Sequence, residues 1–77
     1  YLSEKNALQT RLFNVTIKTI LRREALGLSG RALAQRSGVP YITIARVESG
    51  QNYYSLSTLM RLCDALDITL SDLFKDL

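Results

Sequence analysis

The chain has 77 residues, 47% of them hydrophobic, and a net charge of +3, which reads as a single domain, 1–77, rather than two. One cysteine, Cys63, and no histidine exclude disulfides and the usual zinc ligand sets, and this cysteine usage fits a reducing, cytoplasmic compartment. No apolar run approaches the roughly 20 residues needed to span a bilayer, and no secretory signal pattern is visible.

The first predicted helix runs from Ser3, an N-cap residue type, to about Leu26. Leu8, Leu12, Phe13, Ile17, Ile20 and Leu21 follow helical spacing in it, and Gly27 stands where a helix C-terminus favours a left-handed residue. Arg11, Lys18 and Arg22 share one of its faces; the face is either solvated or a phosphate-contacting stripe. A second helix opens on Ser29, carries Leu33 and Ala34 inward, and stops at Gly38. A third follows from Pro40, suited to a first turn, to about Glu48, and Gly50 ends it. Gln51 to Tyr54 form a polar-aromatic loop. Ser55 caps a fourth helix, with Leu56, Leu59, Leu62, Cys63 and Leu66 at core spacing, and Asp67 breaks it. Thr69 and Asp72, three apart, read as a capping box for a last short helix holding Leu70, Leu73 and Phe74. No segment alternates with period 2, and hairpin dipeptides are absent, so the expected fold is all-α: five helices in an orthogonal bundle.

Charge is distributed unevenly. Residues 1–46 hold eight Lys or Arg against Glu4 and Glu24, a balance of +6; residues 47–77 hold two against five acids, a balance of −3. A basic front half suits a polyanionic partner, and ordinary surface charge gives the same pattern.

Residues 30–49 form the informative unit. Two short helices can cross steeply on a three- or four-residue turn only if the crossing residue is small and the turn residue tolerates positive φ. Ala34 meets the first condition and Gly38 the second. Leu33, Val39, Ile44 and Val47 then anchor the pair, which leaves Tyr41, Ile42, Ala45 and Arg46 outside. An aromatic and an isoleucine on an outer face are misplaced for a solvated helix and in place for the second helix of a helix-turn-helix, which enters the DNA major groove.

LGLS (Leu26–Ser29), RALAQRSGV (Arg31–Val39), IARVESG (Ile44–Gly50), SLSTLMRLCDALDI (Ser55–Ile68) and TLSDLF (Thr69–Phe74) follow one another in a recognisable order and spacing. Over about residues 20–75 the chain resembles the phage-repressor-like (Xre/Cro type) helix-turn-helix family, with the helix-turn-helix at 30–49; residues 1–19, an N-terminal helix or arm, lie outside the resemblance. The resemblance implies a lambda-repressor-like, five-helix DNA-binding domain. It implies a sequence-specific regulator of transcription, a homodimeric repressor or controller that inserts helix 41–48 into double-stranded DNA at a pseudo-palindromic operator. The alternative is an antitoxin-type module that grips a partner protein with the same fold.

By the same resemblance, Tyr41, Ile42, Thr43 and Arg46 fall where base edges are read. Arg46 suits guanine O6 and N7, Ile42 suits thymine methyl groups, and packing against the protein itself is the other reading for Tyr41 and Ile42. Ser29, Arg31, Gln51, Asn52 and Tyr53 are expected at phosphates, aided by the N–H groups that open helices two and four. Glu48 is expected to pair with Arg23 of the first helix, with Arg22 as the competing partner. Three positions depart from the pattern. Gly30 stands where a glutamine often reaches phosphate and braces the recognition helix; Tyr54 replaces a proline; Asp67 replaces glycine or asparagine. An enzyme is disfavoured, because no histidine, nucleophile–base pair or phosphate loop is present, and no cofactor or metal is expected. The last helix, with Leu70, Leu73 and Leu77, is the first expectation for a dimer interface, and the segment Tyr1–Phe13 the second.

Overall fold

The computed structural model describes the backbone of residues 2–51 and 54–75, and within these the side chains from residue 12 onward. It contains five helices: α1 (Leu2–Ala25), α2 (Gly30–Ser37), α3 (Tyr41–Glu48), α4 (Leu56–Leu66) and α5 (Leu70–Phe74). The described residues contain no strand. The architecture is the all-α bundle expected from the periodicity. Helix α1 is one continuous element, and its start at Leu2 places Ser3 inside the first turn rather than at the cap.

Local chemistry sets the helix limits. The Ser29, Ser55 and Thr69 hydroxyls each accept from the backbone N–H three residues on, at 3.0–3.2 Å. At Thr69 the box is reciprocal, since the Asp72 carboxylate accepts from the Thr69 N–H at 3.1 Å. Gly38 ends α2 at φ 73° and returns its N–H to the Ala34 carbonyl at 3.0 Å; that φ is why a glycine stands at this turn. Asp67 makes the equivalent left-handed turn after α4 at φ 57°, a conformation that short polar side chains tolerate better than other non-glycine residues.

Helix α1 is the spine of the molecule and packs on α3, α4 and α5, while α2 packs on α3 and α4. The core joins Val15, Leu33, Ile44, Val47, Leu62 and Leu66, all at 1% exposure or less, with Val39, Leu59, Cys63, Ala65 and Leu73 around them. Four expected core residues lie outside: Phe13, Leu21, Leu56 and Phe74 are exposed. On α1 the cause is rotation of the helix. It buries Val15, Thr16 and Thr19 instead, which is tolerated because each hydroxyl finds a carbonyl, Thr16 that of Val47 at 2.9 Å and Thr19 that of Val15 at 2.7 Å. Leu56 and Phe74 sit at the ends of short helices, beyond the reach of the core. The side chain of Leu8 lies outside the described ones.

Two cations on the basic face of α1, Lys18 and Arg22, are engaged with the backbone of the protein itself. Lys18 donates to the backbone carbonyls of Asp72, at 2.7 Å, and Lys75. Asn14 donates to the Lys75 carbonyl at 3.5 Å, and Arg22 donates through Nε to the Leu66 carbonyl at 2.8 Å. These carbonyls end α4 and α5, where intrahelical partners run out. The bonds engage two of the eight cations of the basic half, Lys18 and Arg22. Arg11 belongs to the same face, and its side chain lies outside the described ones.

Two stability measurements follow. The Tyr54 hydroxyl is buried with no hydrogen-bond partner among the described residues, and burial pushes its pKa up. Tyr54→Phe removes an uncompensated desolvation and should stabilise by about 1 kcal/mol, read as a higher urea midpoint at unchanged slope. The N–H and hydroxyl of Thr69 hold the Asp72 carboxyl below its ordinary range. A depressed folded-state pKa contributes stability above the unfolded value, about pH 4, and loses it as pH falls through the lower folded value. Thermal unfolding of Asp72→Asn should therefore vary less with pH below about 4 than that of the wild type.

Candidate functional site

Helix α3 has two unlike sides. Ile44 and Val47 point inward at 1% and 0% exposure, while Tyr41, Ile42, Ala45 and Arg46 are exposed and Thr43 is half-buried. Ile42 is 59% exposed, so packing against the protein does not account for it. No side chain caps the start of α3. The Pro40 carbonyl accepts from Thr43 and Ile44, and as at any helix start the first N–H groups have no partner inside the helix. The exit is tightly tied: the Arg46 carbonyl accepts from the Ser49 hydroxyl and the Gln51 N–H, both at 3.0 Å.

From behind, α1 holds this helix at its last turn. Thr16 bonds the Val47 carbonyl, as above. Arg23 meets Glu48 in a two-pronged pair, Nε to Oε2 at 2.9 Å and Nη2 to Oε1 at 3.0 Å, and its third prong donates to the Leu28 carbonyl at 2.9 Å. Both side chains are largely buried, at 18% and 15% exposure. The hydrogen bond to Glu48 is the main cause that raises the Arg23 pKa, against the opposing cost of burial. Arg22, the rival partner, is committed to Leu66 instead. The acid on α3 is thus neutralised on the inner side and presents no free carboxylate to an anion.

The other anticipated positions separate into three groups. Arg31 is exposed, as is Gln51. Ser29 is exposed too; its hydroxyl oxygen accepts from the Ala32 N–H, which leaves its O–H available to donate to a phosphate. Asn52 and Tyr53, the remaining expected phosphate contacts, lie outside the described residues. Among the base-reading candidates Tyr41 differs from its neighbours. Its ring lies over Gly30, where a β-carbon would come within 2.9 Å of Cε1, and the Arg31 guanidinium carbon stands 4.5 Å from the ring centre. The aromatic ring fills space that a side chain at position 30 would need. Reading residue by residue missed this contact, because eleven positions separate Gly30 from Tyr41; the signal was the glycine itself, at a helix start that requires no unusual φ.

No cluster of three or more metal-ligating side chains occurs among the described residues. Cys63 is buried, and burial, with the charge of Asp72 as a second cause, raises its thiol pKa, which makes it a poor nucleophile. No helix among the described residues is long and apolar enough to cross a membrane.

A helix-turn-helix family model matches residues 20–73. The chain belongs to the helix-turn-helix family. A protein of Haemophilus influenzae named as an HTH-type transcriptional regulator is 44% identical to it over 52 residues, which are 68% of this chain and 53% of that protein. The chain therefore spans about half the length of this curated relative. Among solved structures, the crystal structure of the restriction-modification controller protein C.AhdI from Aeromonas hydrophila superposes with a TM-score of 0.75 at 36% identity, covering 82% of this chain and 96% of that one. The family match includes α2, α3 and the Arg23–Glu48 pair behind α3, while Thr16 and Val15 lie before it.

The tie behind α3 is testable by a cycle. Arg23→Ala and Glu48→Ala should each destabilise by about 3 kcal/mol, since each leaves a largely buried charge unpaired, whereas Arg23→Met with Glu48→Leu should recover most of the loss. Chemical denaturation of the three variants measures it.

Proposed function

We propose that this helix-turn-helix chain is the DNA-binding part of a sequence-specific transcriptional regulator, with α3 lying in the major groove of double-stranded DNA. The observation that carries the reading is the outer side of α3. An exposed isoleucine, a half-buried threonine and an arginine with no acidic partner among the described residues share one side of a helix whose other side is sealed in the core. Ile42 is suited to thymine methyl groups, Arg46 to the paired acceptors of guanine, and Thr43 to either kind of contact. Ser29, Arg31, Gln51, Asn52 and Tyr53, with the N–H groups that open α2 and α4, are the proposed backbone contacts. The named function of the Haemophilus relative and the controller role of C.AhdI support this reading.

One such module has a small contact area, and tight binding calls for two. The proposed active form is a cytoplasmic homodimer on a pseudo-palindromic operator, its two α3 helices about 34 Å apart, one turn of DNA. Large apolar side chains away from α3 support a second copy as the cover: Phe13, Leu21, Leu56 and Met60 are all more than half exposed. Leu73 is in the core at 1% exposure and is unavailable to such an interface, and Leu77 lies outside the described residues. The exposed apolar residues of α1 and α4 are a proposed surface for it beside the last helix, where Leu70 is half-buried and Phe74 exposed.

Selection from a random duplex pool tests the reading. A defined half-site should be enriched, and affinity for it should fall steeply with salt as counterions are released. Arg46→Ala should weaken binding to the selected site by roughly ten- to a hundredfold and relax preference at one base pair, while leaving affinity for unrelated DNA nearly unchanged. Absence of any enriched sequence would defeat the proposal.

A further inference from the structure

Gly30 has no conformational need to be glycine. It occupies the first position of α2 after the Ser29 cap, its φ is not in the left-handed region, and alanine is ordinarily the better residue within a helix. What distinguishes it is its neighbour. A β-carbon there would lie 2.9 Å from Cε1 of Tyr41, 3.5 Å from Cδ1 and 3.9 Å from Cζ. The Tyr41 ring has taken the place of the missing side chain, and its face carries the Arg31 guanidinium at 4.5 Å. A guanidinium stacked on a ring keeps its in-plane N–H donors free, and stacking restricts an otherwise floppy side chain. Arg31 has no acidic partner among the described residues. Its donors are therefore held in order at the junction of the α2 and α3 N-termini with no acceptor among the described residues.

We propose that Tyr41 is a positioning residue. Its ring, seated over Gly30, orders Arg31 for a phosphate of the DNA backbone, so that the first aromatic of the recognition helix serves affinity rather than sequence choice. The assignment rests on the DNA-binding reading and refines it: glycine 30, ring 41 and cation 31 act as one device, and the grip lost with a side chain at position 30 is restored by an arginine one residue later.

The test measures binding of the full chain to its selected duplex and to an unrelated duplex, each across a salt series, with thermal unfolding in parallel. Arg31→Ala and Tyr41→Ala should weaken both duplexes alike, by roughly five- to tenfold, and each should reduce the salt slope by about 1. The double variant should be no weaker than Arg31→Ala alone. Tyr41→Phe, which keeps the ring, should bind as the wild type does. Gly30→Ala should unfold at the wild-type temperature or above, because only a movable ring opposes the new methyl group, yet it should bind as weakly as Tyr41→Ala. Additive losses in the double variant, a changed sequence preference in Tyr41→Ala, or full affinity in Gly30→Ala would each overturn the assignment while leaving the DNA reading intact. If the wild-type chain shows no salt-dependent binding to either duplex, the DNA reading fails and takes this assignment with it.

Discussion

An eight-residue helix is too short to hold its own shape in water, and α3 must also keep one side bare of packing. Everything that orders it therefore has to act from behind. Ile44 and Val47 fix it to the core, the Thr16 hydroxyl fixes the Val47 carbonyl, and the Arg23–Glu48 pair fixes its last side chain. Three of these four ties lie in the final turn. The opening turn, with Pro40 and no side-chain cap, is instead steadied on its outer flank by a ring resting on α2. The helix is thus clamped at its exit and buttressed at its entry, with the side between them exposed.

Helix α1 makes this arrangement possible by spending its polar residues inward. Lys18 and Arg22 satisfy carbonyls at the ends of α5 and α4, and Arg23 takes Glu48. Five-residue α5 is no more self-sufficient than α3, and its C-terminal carbonyls are held by Asn14 and Lys18 of α1. One long helix thereby orders a short one at each of two places. The same bonds change the electrostatic picture. Of the cations in the basic half, those with described side chains on α1 are engaged with the protein itself, and those on α2 and α3, Arg31, Arg36 and Arg46, are exposed.

How much of this could be read from the sequence depends on the range of the interaction. Caps are local: Ser29, Ser55 and the Thr69–Asp72 box are recognisable from three-residue spacing, and Gly38 from the turn it must make. The buried side of α4 also follows from spacing, because Leu59, Leu62, Cys63 and Leu66 leave little choice of face. Helix α1 defeated the same method. Its apolar residues cover more than one face, and the buried face was selected by threonines whose hydroxyls find carbonyls, one of them 31 residues away. Arg23 rather than Arg22 as the partner of Glu48 came from family resemblance, since neighbouring arginines cannot be separated by charge alone. At position 30 the glycine was visible as a missing contact; that an aromatic from the next helix had moved into the gap is a fact of tertiary geometry.

That gap has a bearing on how the family's members can diverge. A bulky side chain at position 30 and an aromatic ring at position 41 compete for one volume, so neither can be exchanged freely while the other stays. A lineage passing from one solution to the other must cross an intermediate that has both groups or neither. The first crowds the opening turn of α3, and the second leaves the Arg31 guanidinium with no ring beside it. Positions 30 and 41 should accordingly behave as a single inherited character, so that grafting the outer face of α3 onto a relative would transfer only part of its behaviour unless the residue opening α2 travels with it.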